Sequence, residues 1–316
     1  MTQERIVRVA TVPMPEEARA EIIESFDGAQ IRLIHYGAPG PRGTCVVVPG
    51  WTEPSEKYGE VALDLIDRGF SVVCYDPRGQ GLSQRLTEED GRGRIDDFSK
   101  HIKDLGAVVD HLNPERLVLL GHSMGGLTVL SYLAEGGRGD CAVLSAPATQ
   151  IFPNVLQRMA VRGAARLFQR FGMGDRPLSP EGGQSMTFEG NTLTSDPDRH
   201  AILRDLLLAK EGLDLPRTSA VWIGAVHAQQ NRLKQDGYLA NISVPTVIAS
   251  LPDDKIVDGG NHADIVRRSS AHVTAESIPG AMHEVLMEAD EYRDHFWDIF
   301  DRHTAHYLPP LSTDSE

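Results

Sequence analysis

Residues 116–126 read Arg-Leu-Val-Leu-Leu-Gly-His-Ser-Met-Gly-Gly, and this stretch decides the fold. Leu117 to Leu120 form a short apolar run, the pattern of a strand covered on both faces. Gly121-His122-Ser123-Met124-Gly125 is a G-x-S-x-G, a weak signal when it stands alone. Here it joins a buried strand to a helix that opens with small residues, Gly125 and Gly126. A strand turning sharply into a helix strains the backbone at Ser123 and pushes its Oγ out at the carboxyl edge of the sheet. The helix N-terminus behind it favours developing negative charge.

Outward from this point, short β-branched runs recur at 20–26, 30–36, 44–48, 70–75, 140–145, 244–250 and 272–278. Helical periodicity falls between them at 56–68, 96–112, 124–135 and 290–306. Strand and helix alternating in this order predict a doubly wound α/β sheet. The alternation stops after Pro147. Three helical patterns, 154–171, 197–211 and 218–235, replace it until the strands resume at Val244, with connectors such as Gly172 to Gly183 between them. The predicted organisation is therefore a core of 1–147 and 241–316, with a helical lid inserted at 148–240.

A serine needs a base to become nucleophilic at neutral pH. With the nucleophile on a strand–turn–helix elbow, the acid is expected after a later strand and the base last. His283 occupies the loop that follows the final strand pattern. His262, His272, His295, His303 and His306 fall within strand or helix patterns instead. The acid belongs at the end of the run Val244–Ser250, where Leu-Pro-Asp-Asp-Lys follows. Asp254 fits best and Asp253 is the alternative, because adjacent residues point in different directions. Asp258 reads as a helix cap.

The chain has 316 residues, 41% hydrophobic and 24% charged, which is ordinary globular usage and excludes bulk disorder. Its 31 basic and 45 acidic side chains leave a net charge of −14. Nucleic-acid binding needs a basic surface, and broad docking on anionic membranes is disfavoured for the same reason. Cys45, Cys74 and Cys141 lie in apolar strand patterns and read as small core residues in a reducing compartment. No run resembles a secretory leader or a spanning helix, so a cytoplasmic protein is expected.

In this order, these residues resemble the α/β-hydrolase fold, and within it the lysophospholipase and monoacylglycerol lipase family, across about 28–305. Pro49-Gly50-Trp51-Thr52-Glu53 with Tyr58 resembles the family's H-G-x-x-E…Y loop. Gly69 to Val73, then Asp76-Pro77-Arg78-Gly79-Gln80-Gly81-Leu82-Ser83, resembles its R-G-[YF]…D-x-R-G-x-G-x-S segment. The Ser123 elbow and His283-Glu284 complete the pattern. Leu193 to Arg199 and Val221-Trp222-Ile223 look most like the bacterial lysophospholipase L2 branch. The resemblance implies an eight-stranded, mostly parallel sheet and a serine carboxylic-ester hydrolase with a Ser123–His283–Asp254 triad. It also implies an oxyanion hole from the backbone N–H groups of Trp51 and Met124, and no cofactor or metal. The family's His-Gly is Pro49-Gly50 here, but backbone donors do not require that histidine. Asp76, Arg78 and Gly81 belong to a structural turn. Trp51 is bulky enough to narrow the pocket beside Ser123.

The expected partner is a small acyl ester, a lysophospholipid or monoacylglycerol. A peptidase or small-ester esterase could use the same triad, and a non-catalytic binding protein of the same fold is the reading from another class. Residues 151–236 carry 11 basic and 9 acidic residues, so the insertion is basic relative to its scaffold. In 154–171, Leu156, Met159, Leu167, Phe168 and Phe171 fall on one helical face, and Arg158, Arg162, Arg166 and Arg170 on another. One reading is a solvated arginine face over a packed apolar stripe. The sharper one is a helix that meets a lipid interface, as peripheral contact of the lid at the inner membrane, or a phosphorylated head group.

Overall fold

A computed structural model describes residues 6–38, 40–85, 94–178, 187–210, 213 and 218–309. Its eight strands are β1 (Arg19–Glu24), β2 (Gln30–His35), β3 (Thr44–Val48), β4 (Ser71–Tyr75), β5 (Leu117–His122), β6 (Cys141–Ser145), β7 (Thr246–Ser250) and β8 (Val273–Ser277). They form one sheet in the order β1-β2-β4-β3-β5-β6-β7-β8. β1 and β2 are antiparallel, as are β2 and β4, and every pairing from β4 to β8 is parallel. This is the α/β-hydrolase fold.

Alternation along the strands builds two apolar layers. Val46, Val48, Leu117 and Leu119 pack on one face with α2 (Ser99–Leu112) and α3 (Met124–Ala134). Cys45, Val47, Val118 and Leu120 pack on the other with α1 (Gly59–Asp67) and α8 (Asp290–Tyr307). Cys45, Cys74 and Cys141 are buried free thiols in that second layer. β5 is buried at all six positions. It therefore delivers Ser123 from the centre of the sheet.

Between β6 and β7 lie α4 (Val155–Arg170), α5 (Pro197–Ala209) and α6 (Ala220–Arg232). The expected connector from Gly172 to Gly183 is described as far as Leu178, and its remainder lies outside the described residues. Asp196 caps α5 by accepting the amides of Asp198 and Arg199, with Pro197 in the first turn. Arg199 then fastens α5 to the body, 2.8 Å from both Glu60 and Asp290.

Two expectations are corrected. On α4 the apolar stripe does not face inward as a unit. Leu156, Met159, Leu167 and Phe171 are exposed, by 54% or more, while Ala165 is buried and Val161 and Phe168 pack on the core. Arg158 and Arg162 sit on the half-buried side. Asp258 caps no helix. The segment α7 (Asn261–Arg268) has Gly260 at its N-cap and no side-chain cap. Asp258 instead accepts from Gln150 Nε2 at 2.6 Å and lies 3.7 Å from Arg158.

Candidate active site

Ser123 stands between β5 and α3 with φ 51° and ψ −114°. A non-glycine residue held in such a backbone conformation is strained and needs its surroundings to fix it. Its N–H donates to Ser145 O at 2.9 Å, and its carbonyl accepts from Leu127 at 3.0 Å and Ala148 at 2.8 Å. Glycine at 125 is a packing requirement: a Cβ there would lie 1.9 Å from the carbonyl oxygen of Val48 on β3.

The structure brings together the three residues singled out for nucleophile, base and acid. His283, on the loop after β8, has Nε2 3.0 Å from Ser123 Oγ and Nδ1 2.6 Å from Asp254 Oδ2. The other Asp254 oxygen accepts the amides of Ile256 at 2.7 Å and Val257 at 3.1 Å, which fixes the carboxylate. Asp253 points elsewhere, accepting Gly280 N–H at 2.8 Å. Burial would lower the His283 pKa, but the charge and hydrogen bond of Asp254 outweigh it and the net direction is upward. Burial pulls the Asp254 carboxyl the other way, upward. His283 and the two backbone donors overcome this and hold it below the usual range.

Trp51 and Met124 line the same cavity as Ser123. Among the described residues neither backbone N–H donates to a protein acceptor. The Trp51 loop is held from both sides. Glu53 Oε2 accepts Gly50 N–H at 2.6 Å, and Gln80 Oε1 accepts Thr52 N–H. Gln80 comes from the turn of Asp76, whose buried carboxylate pairs with Arg32 at 2.7 Å and accepts the Ser55 amide at 2.8 Å. Arg78 is bound to Asp27 and Asp104. These contacts suit a structural turn.

The sequence motifs contained Glu53 and Glu284 but gave no sign that they meet. Both are buried, and Lys57 Nζ lies 2.7 Å from each. Tyr58 OH adds a hydrogen bond to Glu53 Oε2 at 2.6 Å. Burial works against the Glu53 anion, but the Lys57 ammonium holds its carboxyl well below the ordinary range. His122 sits beside this group, its ring 5.0 Å from that of His283. Burial depresses the His122 pKa to about 3, so the ring is neutral. Glu53, His122 and Glu284 place three potential metal-ligand atoms within 4.8 Å of one another. The Lys57 ammonium already supplies the cation to both carboxylates there.

The stretch before α5 locks the His283 loop. Glu284 N–H donates to Leu193 O at 2.8 Å, and Thr194 Oγ1 to Met287 O at 2.7 Å. Buried Glu288 accepts the amides of Met282 at 2.8 Å and Ser195 at 2.9 Å. No local signal marked Glu288, because its partners Thr194 and Ser195 are distant in sequence.

Ser123 opens into a cavity of about 390 Å³. Ile151, Phe152, Trp222, Ile223 and Val226 give it an apolar wall. Trp51 stacks on Trp222 with ring centroids 4.5 Å apart, and its Nε1 donates to Thr218 Oγ1 at 3.2 Å. The bulk of Trp51 thus becomes part of the wall that the inserted helices complete.

Strand order, elbow and this Ser–His–Asp line define an α/β-hydrolase of the serine-hydrolase type. The family described as serine aminopeptidase, S33, matches residues 39–290, and the chain belongs to it. It is 29% identical over 261 residues, 80% of each chain, to the probable lysophospholipase L2 of Haemophilus influenzae. It is 25% identical over 258 residues to the monoacylglycerol lipase of Mycolicibacterium smegmatis, covering 79% of this chain and 84% of that one. A soluble variant of monoglyceride lipase from Saccharomyces cerevisiae superposes with a TM-score of 0.72 at 21% identity, covering 91% of this chain and 96% of that one.

Proposed function

We propose that this protein is a serine ester hydrolase that releases a fatty acid from a lysophospholipid or monoacylglycerol. The observation that carries the reading is the unbroken hydrogen-bond line from Ser123 through His283 to Asp254, opening into an apolar cavity. His283 Nε2 accepts the Ser123 proton as Oγ attacks the acyl carbonyl. The Trp51 and Met124 N–H groups hold the oxyanion. His283 then gives its proton to the leaving alcohol, which departs, and the acyl group stays on Ser123. In the second half His283 takes a proton from water, the hydroxide attacks the acyl-enzyme, and His283 returns the proton to Ser123 Oγ as the acyl C–O bond breaks and the fatty acid leaves. These steps balance with water alone.

The cavity supports an ester over a peptide with a free amino terminus. Its wall of Ile151, Phe152, Trp222, Ile223 and Val226 suits an acyl chain rather than a charged peptide end. The names of the two sequence relatives point to acyl glycerol substrates as well. The α4 surface suits such a substrate's source. Leu156, Met159, Leu167 and Phe171 form an exposed apolar face with Arg166 and Arg170 beside them, the composition of a helix that lies on a lipid surface. Among the described residues no helix is long and apolar enough to cross a membrane, so contact would be peripheral and made through residues 148–240 as a cap.

Ser123→Ala tests the reading. Turnover of a monoacylglycerol should fall by on the order of 10⁶ with the fold intact by circular dichroism. A fluorophosphonate should label Ser123 in the parent. Label on another residue, or turnover retained in the variant, would end the assignment.

A further inference from the structure

The outer side of α6 faces a second cavity, about 380 Å³, between α4 and α6. Arg162 and Arg166 of α4 and His227 of α6 line it. Among the described residues, α6 lies between this groove and the cavity at Ser123. Trp222 and Val226 line the inner cavity, Gly224 and His227 line the groove, and Ile223 lines both.

Charge in the groove is unbalanced. Arg158, one turn before, has Asp258 at 3.7 Å. Arg162 makes one hydrogen bond, to Gln230 Oε1 at 3.2 Å, and among the described residues neither Arg162 nor Arg166 has an ion-pair partner. Asp96 also lines the groove but is held by Lys100 at 2.6 Å. A guanidinium cannot shed its proton, so the four-residue spacing keeps two like charges on adjacent turns. Burial, with Arg158 and Arg166 beside it, draws Arg162 below its ordinary range. Asn231 Nδ2 lies 3.2 Å from His227 Nε2 and donates to it, which leaves the ring proton on Nδ1. That Nδ1–H is buried with no acceptor among the described residues. Burial first, then Arg162 and Arg166, depress the His227 pKa to about 4, so the ring is neutral at neutral pH.

We propose that the groove between α4 and α6 is an anion site that takes a phosphate group. Arg162 and Arg166 supply two fixed charges whose planar forks match phosphate oxygens, and the neutral His227 ring brings no anion to neutralise them. Phosphate in the groove would relieve the repulsion between the arginines and tie α4 to α6, the helix that roofs the acyl cavity. The group could arrive as a lipid head group or as free phosphate. The site is independent of the ester-hydrolase reading, since Arg162, Arg166 and His227 take no part in the cavity at Ser123.

Isothermal titration of the full chain tests this with two probes, inorganic phosphate and monomeric dihexanoylphosphatidylglycerol. Saturable one-to-one heat is expected with at least one, and Arg162→Gln with Arg166→Gln should weaken it about tenfold or more. Heat with phosphate alone assigns a free phosphate, heat with the diester alone assigns a head group, and heat with both assigns the shared group. Arg166 is exposed, so Arg166→Gln alone keeps the test usable if the double variant fails to fold, and should weaken binding several-fold. No saturable heat with either probe, or equal affinity in parent and variants, would overturn the proposal.

Discussion

Lys57 Nζ lies 2.7 Å from Oε2 of Glu284, the residue that follows His283 in the chain. With Glu53 on its other side, Lys57 sits between two buried carboxylates beside the His283 imidazole; against burial its ammonium holds the Glu53 carboxyl low, while burial and the neighbouring Glu53 push the Glu284 carboxyl up. Burial lowers the His283 pKa, and Asp254, Glu284 and Glu53 together more than reverse that. The sign for activity follows. His283 must be neutral to accept the Ser123 proton, so the acidic limb of kcat/KM should lie above the ordinary histidine pKa of 6.5. Glu284→Gln removes one charge that favours the imidazolium. The limb should then move to lower pH, measured with an uncharged ester. A limb that stays put would show that Glu284 does not act on His283.

The same ammonium carries stability. Lys57→Met leaves Glu53 and Glu284 buried with no cation between them, and breaking a buried ion pair from one side costs about 3–5 kcal/mol. Urea unfolding of the variant should show a loss of that order. Glu53 also fixes the Gly50 amide, so turnover should fall along with stability through the neighbouring Trp51 N–H.

The two adjacent aspartates separate cleanly. Asp254→Asn deprives His283 of its orienting partner and should cost on the order of 10⁴ in kcat. Asp253→Asn weakens one hydrogen bond to Gly280, worth about 1 kcal/mol, and should leave kcat near the parent value. Steady-state kinetics of the two variants decide it, and a reversed order would make Asp253 the acid.

Ser123 and His283 could be read from sequence because each occupies a position that strand and helix periods define. Asp254 could be placed only to within one residue. What settles its direction is a turn in which its amide donates to Leu251 O at 3.3 Å while Ile256 and Val257 donate to its carboxylate. The Lys57 group was hidden for another reason: its members come from two motifs far apart in the chain, and no period relates them. The orientation of α4 stayed open between a packed and a lipid-facing stripe, because its periodicity marks an apolar face without saying what covers it. Ala165 and Phe168 meet the core and Leu156 and Leu167 are exposed, although all four are apolar.

That uncovered face gives the last prediction. Leu156 is 77% exposed and Leu167 54% exposed on α4. Full burial of a leucine contributes about 1.5–3 kcal/mol, so two side chains inserted part-way into lipid should together contribute about 2 kcal/mol. Leu156→Ser with Leu167→Ser should therefore weaken partition into vesicles by a factor in the tens, measured by co-sedimentation. Arg166 and Arg170 lie on the same exposed side. Near an anionic surface each basic side chain adds about 1 kcal/mol, fading within a Debye length of about 8–10 Å. Binding to phosphatidylglycerol vesicles should thus weaken with added salt in the parent, and the serine variant should keep that salt dependence at lower overall affinity. If the serine variant binds vesicles as tightly as the parent, α4 is not the docking surface, and its exposed leucines need another partner.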